Sequence, residues 1–149
     1  MKKWHAFSVS LIVILLDQLS KYWVMKHLVA YQPVHVIPML NFTLAYNSGS
    51  AFSFLSDSGD WHRWFFTGFS SVMSVVLIVW MMRLPKRAVL QLISLSLILG
   101  GAVGNLIDRV FLGHVIDFID VYYQTHHWPV FNIADSAICV GAVLLFFSL

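Results

Sequence analysis

Phe7-Ser-Val-Ser-Leu-Ile-Val-Ile-Leu-Leu-Asp17-Gln-Leu-Ser-Lys21-Tyr-Trp-Val-Met25 is the stretch that decides what kind of protein this is. A bilayer core about 30 Å thick is crossed by about 20 apolar residues of helix, and this run has that length. It follows Met1-Lys2-Lys3, a flank that a cleavable leader would share. The run exceeds the usual apolar core of a leader, and no small-x-small cleavage site follows it. Asp17, Gln18 and Lys21 within it also have no place in a disposable segment. It reads as a retained first transmembrane helix.

The rest of the chain agrees. Of 149 residues, 59% are hydrophobic and only 11% are charged, against about a quarter charged in a soluble domain. Three further segments suit membrane helices: Phe65 to Met82, Ala88 to Ile107, and the shorter Asn132 to Leu149. The expected fold is an all-α membrane protein with four transmembrane helices and a small β-sheet on the outer membrane surface, as a single domain over 1–149. The formal net charge of +2 is too weak and scattered for nucleic acid, and there is no basic run. The single Cys139 falls in an apolar run and is expected to be a buried structural thiol.

Basic residues set the orientation. Lys2, Lys3 and the tight Arg83-Leu-Pro-Lys-Arg87 connection hold five of the nine Lys and Arg. The amino terminus and the 83–87 loop are therefore expected in the cytoplasm, with 26–64 and 108–131 on the far side. In the outer segment 26–64, Asn41-Phe-Thr-Leu-Ala-Tyr46 alternates, which predicts a strand with Phe42, Leu44 and Tyr46 on one face. Val34 to Ile37 is a second strand candidate. Asn47-Ser-Gly49 and Ser56-Asp-Ser-Gly59 read as turns. Phe52, Phe54, Trp61 and Trp64 are expected near the headgroups.

All seven acidic residues are Asp. An ionisable group at membrane depth marks a functional site or a partnered structural one. Asp17 and Lys21, four apart, share a helix face and can pair. Lys21 could instead deprotonate Ser48, Ser50 or Ser53. Gly100 and Gly104 form a G-x-x-x-G pair suited to close helix packing. Asn105 and Arg109 share a face at the end of that helix, where Arg109 anchors at the interface or holds a substrate backbone or lipid headgroup. Asn132 suits a helix N-cap, with Asp135 in the first turn. Asp117 and Asp135 brought together would share one proton, leaving one base and one acid, the equipment for hydrolysing a peptide bond. Asp120 competes with Asp117: the two share a face in a helix and oppose each other in a strand. His126-His127 has no metal-ligand spacing, and neither metal nor organic cofactor is expected.

Asp17-Gln-Leu-Ser-Lys21, Asn47-Ser-Gly-Ser-Ala-Phe52, Gly101-Ala-Val-Gly-Asn105 through Arg109, Val115-Ile-Asp-Phe118 and Phe131-Asn-Ile-Ala-Asp135 occur in that order across almost the whole chain. Together they resemble the motifs of the bacterial lipoprotein signal peptidases, the type II signal peptidases. Ser20 stands where Thr is common in that family, and the chain ends at Leu149 without the basic tail many members carry. The resemblance implies an inner-membrane aspartyl peptidase that removes the signal peptide from prolipoproteins carrying a diacylglyceryl cysteine, cutting before that cysteine. It implies catalysis by Asp117 and Asp135 near the outer surface. It further implies support or substrate binding by Asp17, Lys21, Asn47, Gly49, Asn105, Arg109 and Asn132, with membrane lipid as neighbour and the peptide antibiotic globomycin as inhibitor. The rivals are a proton-coupled transporter and a non-enzymatic lipid-binding subunit.

Overall fold

The structure is a computed structural model and describes residues 2–49 and 61–148. Ser50, Phe52, Ser53, Phe54 and the 56–59 turn lie outside the described residues. Four helices alternate in direction: α1 (Lys3–His27), α2 (Trp61–Arg83), α3 (Val89–Phe111) and α4 (Ile133–Phe146). The first three are long and apolar enough to cross a membrane. The fourth has 14 residues, or roughly 21 Å at 1.5 Å per residue, short of a bilayer core. Helix α3 is the hub and packs against the other three. Lys3 Nζ donates to the Met82 carbonyl, and Gln91 Nε2 donates to Ser148 O at 3.0 Å. The start of α1, the end of α2, the start of α3 and the end of α4 therefore share one side of the bundle.

The G-x-x-x-G expectation is met at the α1–α3 contact. A Cβ on Gly100 would lie 2.7 Å from Val13 Cβ, and one on Gly104 would lie 2.7 Å from Asp17 Oδ2. The neighbouring Gly101 performs the same service toward α4, where a Cβ would run into the Ala134 carbonyl.

At the opposite side, β1 (Val34–Ile37), β2 (Leu40–Asn47), β3 (Val115–Tyr123) and β4 (His126–His127) form an antiparallel sheet in the order β1-β2-β3-β4. Strand β3 is rich in Val, Ile, Phe and Tyr, the residue types that suit a pleated, half-buried surface. Gly113, at φ +83°, supplies the left-handed residue that ends α3 and turns the chain into β3. Two apolar clusters hold the molecule. Ala6, Leu77, Met81, Leu92, Leu95 and Leu99 fill one end of the bundle. Val24, Leu44, Ile116 and Phe118 join α1 to the sheet. Between them along α1 lies a buried polar layer containing Asp17 and Lys21.

Several expectations are corrected. Helix α2 starts at Trp61 rather than at Phe65, so Trp61 and Trp64 belong to its first turn. Helix α3 runs on to Phe111 and takes in Asp108 and Arg109, because no breaker occurs before Gly113. Phe42 and Leu44 enter the second cluster, but Tyr46 is exposed, because the β2–β3 register shifts between Phe42 and Ala45. Cys139 is exposed rather than buried, since α4 turns Ala134, Ala137 and Gly141 inward.

Candidate active site

The sequence left the surroundings of Asp117 undecided between helix and strand, and the structure makes them strand β3. Asp117 and Asp120 consequently engage different neighbours. Asp120 accepts from Thr43 Oγ1 at 2.8 Å and pairs with His127 Nδ1 at 2.7 Å, which ties β4 to the sheet. Burial alone would raise its pKa, but the hydrogen bonds from His127 and Thr43 outweigh that and hold it below the usual value. Asp117 instead accepts from Asn47 Nδ2 at 3.1 Å and from Asn132 Nδ2 at 2.8 Å.

Asp135 arrives from the other direction, in the first turn of α4. Asn132 is the N-cap: its Oδ1 accepts from Asp135 N at 2.8 Å, while its own N donates to Asp135 Oδ2 at 3.2 Å. This capping box fixes the carboxylate against the positive end of the helix. Asn105 Nδ2 donates to Asp135 Oδ1 at 2.8 Å. Asn132 Nδ2 also reaches Asn105 Oδ1 at 3.1 Å, so two amides link the two aspartates. Asp117 feels the result. Its burial first, and the charge of Asp135 second, push its pKa up to about 6.

Asp17 and Lys21 pair as expected, at 2.7 Å. Sequence reasoning missed the third member, Asp108, whose Oδ2 is 2.8 Å from Lys21 Nζ. Its i,i+4 neighbours on α3 gave no hint of a partner on α1. Gln18 Nε2 donates to both Asp17 Oδ2 and Asp108 Oδ1. The two carboxylates also accept from backbone N–H groups. Asp17 Oδ1 accepts from Ala134 N at 2.9 Å, and Asp108 Oδ2 accepts from Ile116 N at 3.0 Å. Those two residues immediately precede Asp135 and Asp117. The ion cluster thus clamps the backbone beside each site aspartate. Lys21 also donates to Asn105 Oδ1 at 3.1 Å, which turns the Asn105 amide toward Asp135. A lysine occupied by two carboxylates and an amide is a poor base for a serine.

Arg109 extends from α3 into the field of Asp135, Asp108 and Asp117, and its guanidinium lies 5.5 Å from the Phe66 ring centroid. Gly49 N donates to Asn47 Oδ1 at 2.8 Å, bracing the amide that holds Asp117. Beside Asp135 a cleft of about 600 Å³ opens, walled by Trp128, Val130, Phe131, Ile138 and Val140. Of the two adjacent histidines, His127 is engaged with Asp120. No group of three metal-ligating side chains occurs among the described residues.

The fold and site define a membrane protein in which a buried carboxyl group of a small sheet and a half-buried one of a helix N-terminus converge. Residues 9–149 match the family described as Signal peptidase (SPase) II. The chain is 53% identical over 137 residues to a lipoprotein signal peptidase of Acinetobacter baumannii, covering 92% of this chain and 78% of that protein. It is 48% identical over 140 residues to the lipoprotein signal peptidase of Hydrogenovibrio crunogenus, covering 94% and 81%. A solved bacterial membrane enzyme, determined by the in meso method at 1.9 Å resolution, superposes with a TM-score of 0.87 at 31% identity, covering 97% of this chain and 91% of that one. The chain belongs to the lipoprotein signal peptidase family and is an aspartic peptidase, signal peptidase II.

Proposed function

We propose that Asp117 and Asp135 are the catalytic pair of this peptidase. The enzyme cleaves the signal peptides of prolipoproteins. The observation that supports the pair is their convergence: β3 and the first turn of α4 deliver two carboxyl groups to the linked amides of Asn105 and Asn132. Like charges in a partly dry site favour one shared proton, so the pair acts as a unit. The ionised member takes a proton from water as the water oxygen attacks the scissile carbonyl carbon. The protonated member donates to the carbonyl oxygen. The tetrahedral intermediate then collapses, the C–N bond breaks, and the leaving nitrogen takes up the proton abstracted from water. The carbonyl re-forms as a carboxyl group, and the pair returns to its singly protonated state.

The remaining residues support that step. Asn47, Asn105 and Asn132 hold the carboxyl groups, Asp17 and Lys21 fix the backbone and amide behind them, Gly49 braces Asn47, and Arg109 meets substrate. The substrate is a prolipoprotein whose cysteine carries diacylglycerol, cut before that cysteine. The apolar cleft beside Asp135 suits its lipid-linked or signal-peptide portion, and globomycin competes for the same space. Residues 1–149 work as one domain in the bacterial cytoplasmic membrane. The amino terminus faces the cytoplasm and the site and sheet face outward, with α4 crossing in a locally adapted bilayer. The five basic residues Lys2, Lys3, Arg83, Lys86 and Arg87 sit toward the side opposite the sheet, which supports that orientation.

The test is purified protein in detergent with a diacylated prolipoprotein and no ion gradient, read by mass spectrometry. Wild type releases signal peptide, and globomycin stops it. Asp117→Asn and Asp135→Asn, assayed at matched folded concentration, lose the roughly 10²–10⁴-fold that acid–base help supplies, or more. Near-wild-type turnover in either variant sinks the pair.

A further inference from the structure

Phe66, on the second turn of α2, belongs to none of the motifs above, yet it touches both halves of the site. Its ring centroid lies 5.5 Å from Arg109 Cζ. Its edge lies so near Gly49 that a Cβ there would come within 2.7 Å of the ring's Cδ2 and Cε2. Gly49 has φ +82°, a conformation that favours glycine, so this close approach is built from a residue with neither side chain nor strain. Gly49 leads through Asn47 to Asp117. Arg109 leads through its field to Asp135. One aromatic ring therefore spans the segment that braces one carboxyl group and the cation that faces the other.

Arg109 needs such a contact. Its side chain is long and its guanidinium lies in the field of three carboxylates, yet among the described residues the ion pairs formed by Asp108 go to Lys21, not to Arg109. An aromatic face attracts a guanidinium and offers it a flat seat. The backbone under Arg109 is held as well. Arg63, on the preceding turn of α2, donates through Nε to Arg109 O at 2.9 Å and through Nη2 to Val110 O at 2.7 Å. The first turns of α2 thus secure Arg109 at both ends: Arg63 takes the carbonyl and Phe66 takes the guanidinium.

We propose that Phe66 is a positioning residue for the peptidase, which seats the Arg109 guanidinium where negative charge develops on the substrate's carbonyl oxygen. The assignment rests on the peptidase reading of the site. A donor already in place when the charge appears lowers the barrier without reorganisation. Phe66 touches no substrate, and its effect passes through Arg109.

The experiment is a double-mutant cycle on cleavage of a diacylated prolipoprotein by purified protein at matched folded concentration. Phe66→Leu keeps apolar bulk and removes the π face. It is expected to lower kcat about tenfold, within the range of a partly desolvated cation–π contact, with KM changed less than about twofold. Phe66→Tyr restores kcat to within about threefold of wild type. In an Arg109→Gln background, Phe66→Leu changes kcat by less than about twofold. Equal losses from Phe66→Leu in both backgrounds, or no rescue by Tyr, overturn the proposal and leave the ring as packing. Where Phe66→Leu folds poorly, Phe66→Met runs the same cycle. Asp117→Asn is assayed in parallel: its retaining activity overturns the catalytic pair, whereas a dead Asp117→Asn beside an uncoupled cycle overturns only the role of Phe66.

Discussion

Two groups of aspartates meet on either side of Asn105 and are treated in opposite ways. Asp17 and Asp108 share a lysine, a glutamine side chain and two backbone N–H groups, with side chains almost fully buried. Asp117 and Asp135 receive neutral amides and each other. The first group has a cation to offset its charge and works as a brace. The second is held by neutral donors alone, and burial, followed by the charge of Asp135, raises the Asp117 pKa. On the proposed function, the company of a lysine, rather than residue type, separates the structural carboxylates from the reactive ones.

The largest expected effect sets the two groups apart by activity. Asp117→Asn and Asp135→Asn remove cleavage while leaving an inserted, folded protein, because Asn keeps the shape but cannot exchange the proton. The comparison breaks if either is active.

The brace should show itself in stability. Lys21→Met leaves Asp17 and Asp108 buried without their cation, and removing one partner of a buried ion pair costs about 3–5 kcal/mol. Adding Asp17→Asn to Lys21→Met should cost less than the sum of the two single changes. Thermal unfolding in detergent measures this, and strict additivity argues against a coupled cluster.

A smaller effect sharpens the electrostatic contrast. The Asp117 pKa, raised to about 6 from the ordinary 3.8, means that the folded protein holds that proton more tightly than the unfolded chain. The associated stability is fully present below about 4 and is lost as pH rises through about 6. Wild type should therefore lose stability relative to Asp117→Asn across that window, by up to roughly 3 kcal/mol. Unfolding midpoints of the two proteins from pH 4 to pH 7 give the answer. A difference that grows in favour of wild type with pH contradicts the assigned causes.

The smallest effect belongs to Asp120. Its bonds to Thr43 and His127 secure a strand rather than the reaction. Asp120→Asn should lower cleavage by less than about tenfold, the rate equivalent of one lost hydrogen bond. An inactive Asp120→Asn beside an active Asp117→Asn would mean that the pair is misassigned within the right class of enzyme.

Read alone, the sequence determined the membrane setting, the number and order of the helices, two of the four strands and the N-cap at Asn132. These are local properties: run length, alternation and capping all act within a few residues. It also determined the family, because the order of five short motifs is itself a linear feature. Only the tertiary structure decided that Asp108 joins Lys21, that residues 115–123 are a strand, that Cys139 faces outward, and that Phe66 meets Arg109 and Gly49. Each depends on partners far apart in the chain. The pairing Lys21–Asp108 exists because α1 and α3 approach closely enough at Gly104 for two charges to find each other in place of water, and a local pattern carries no record of which distant helix will come that close.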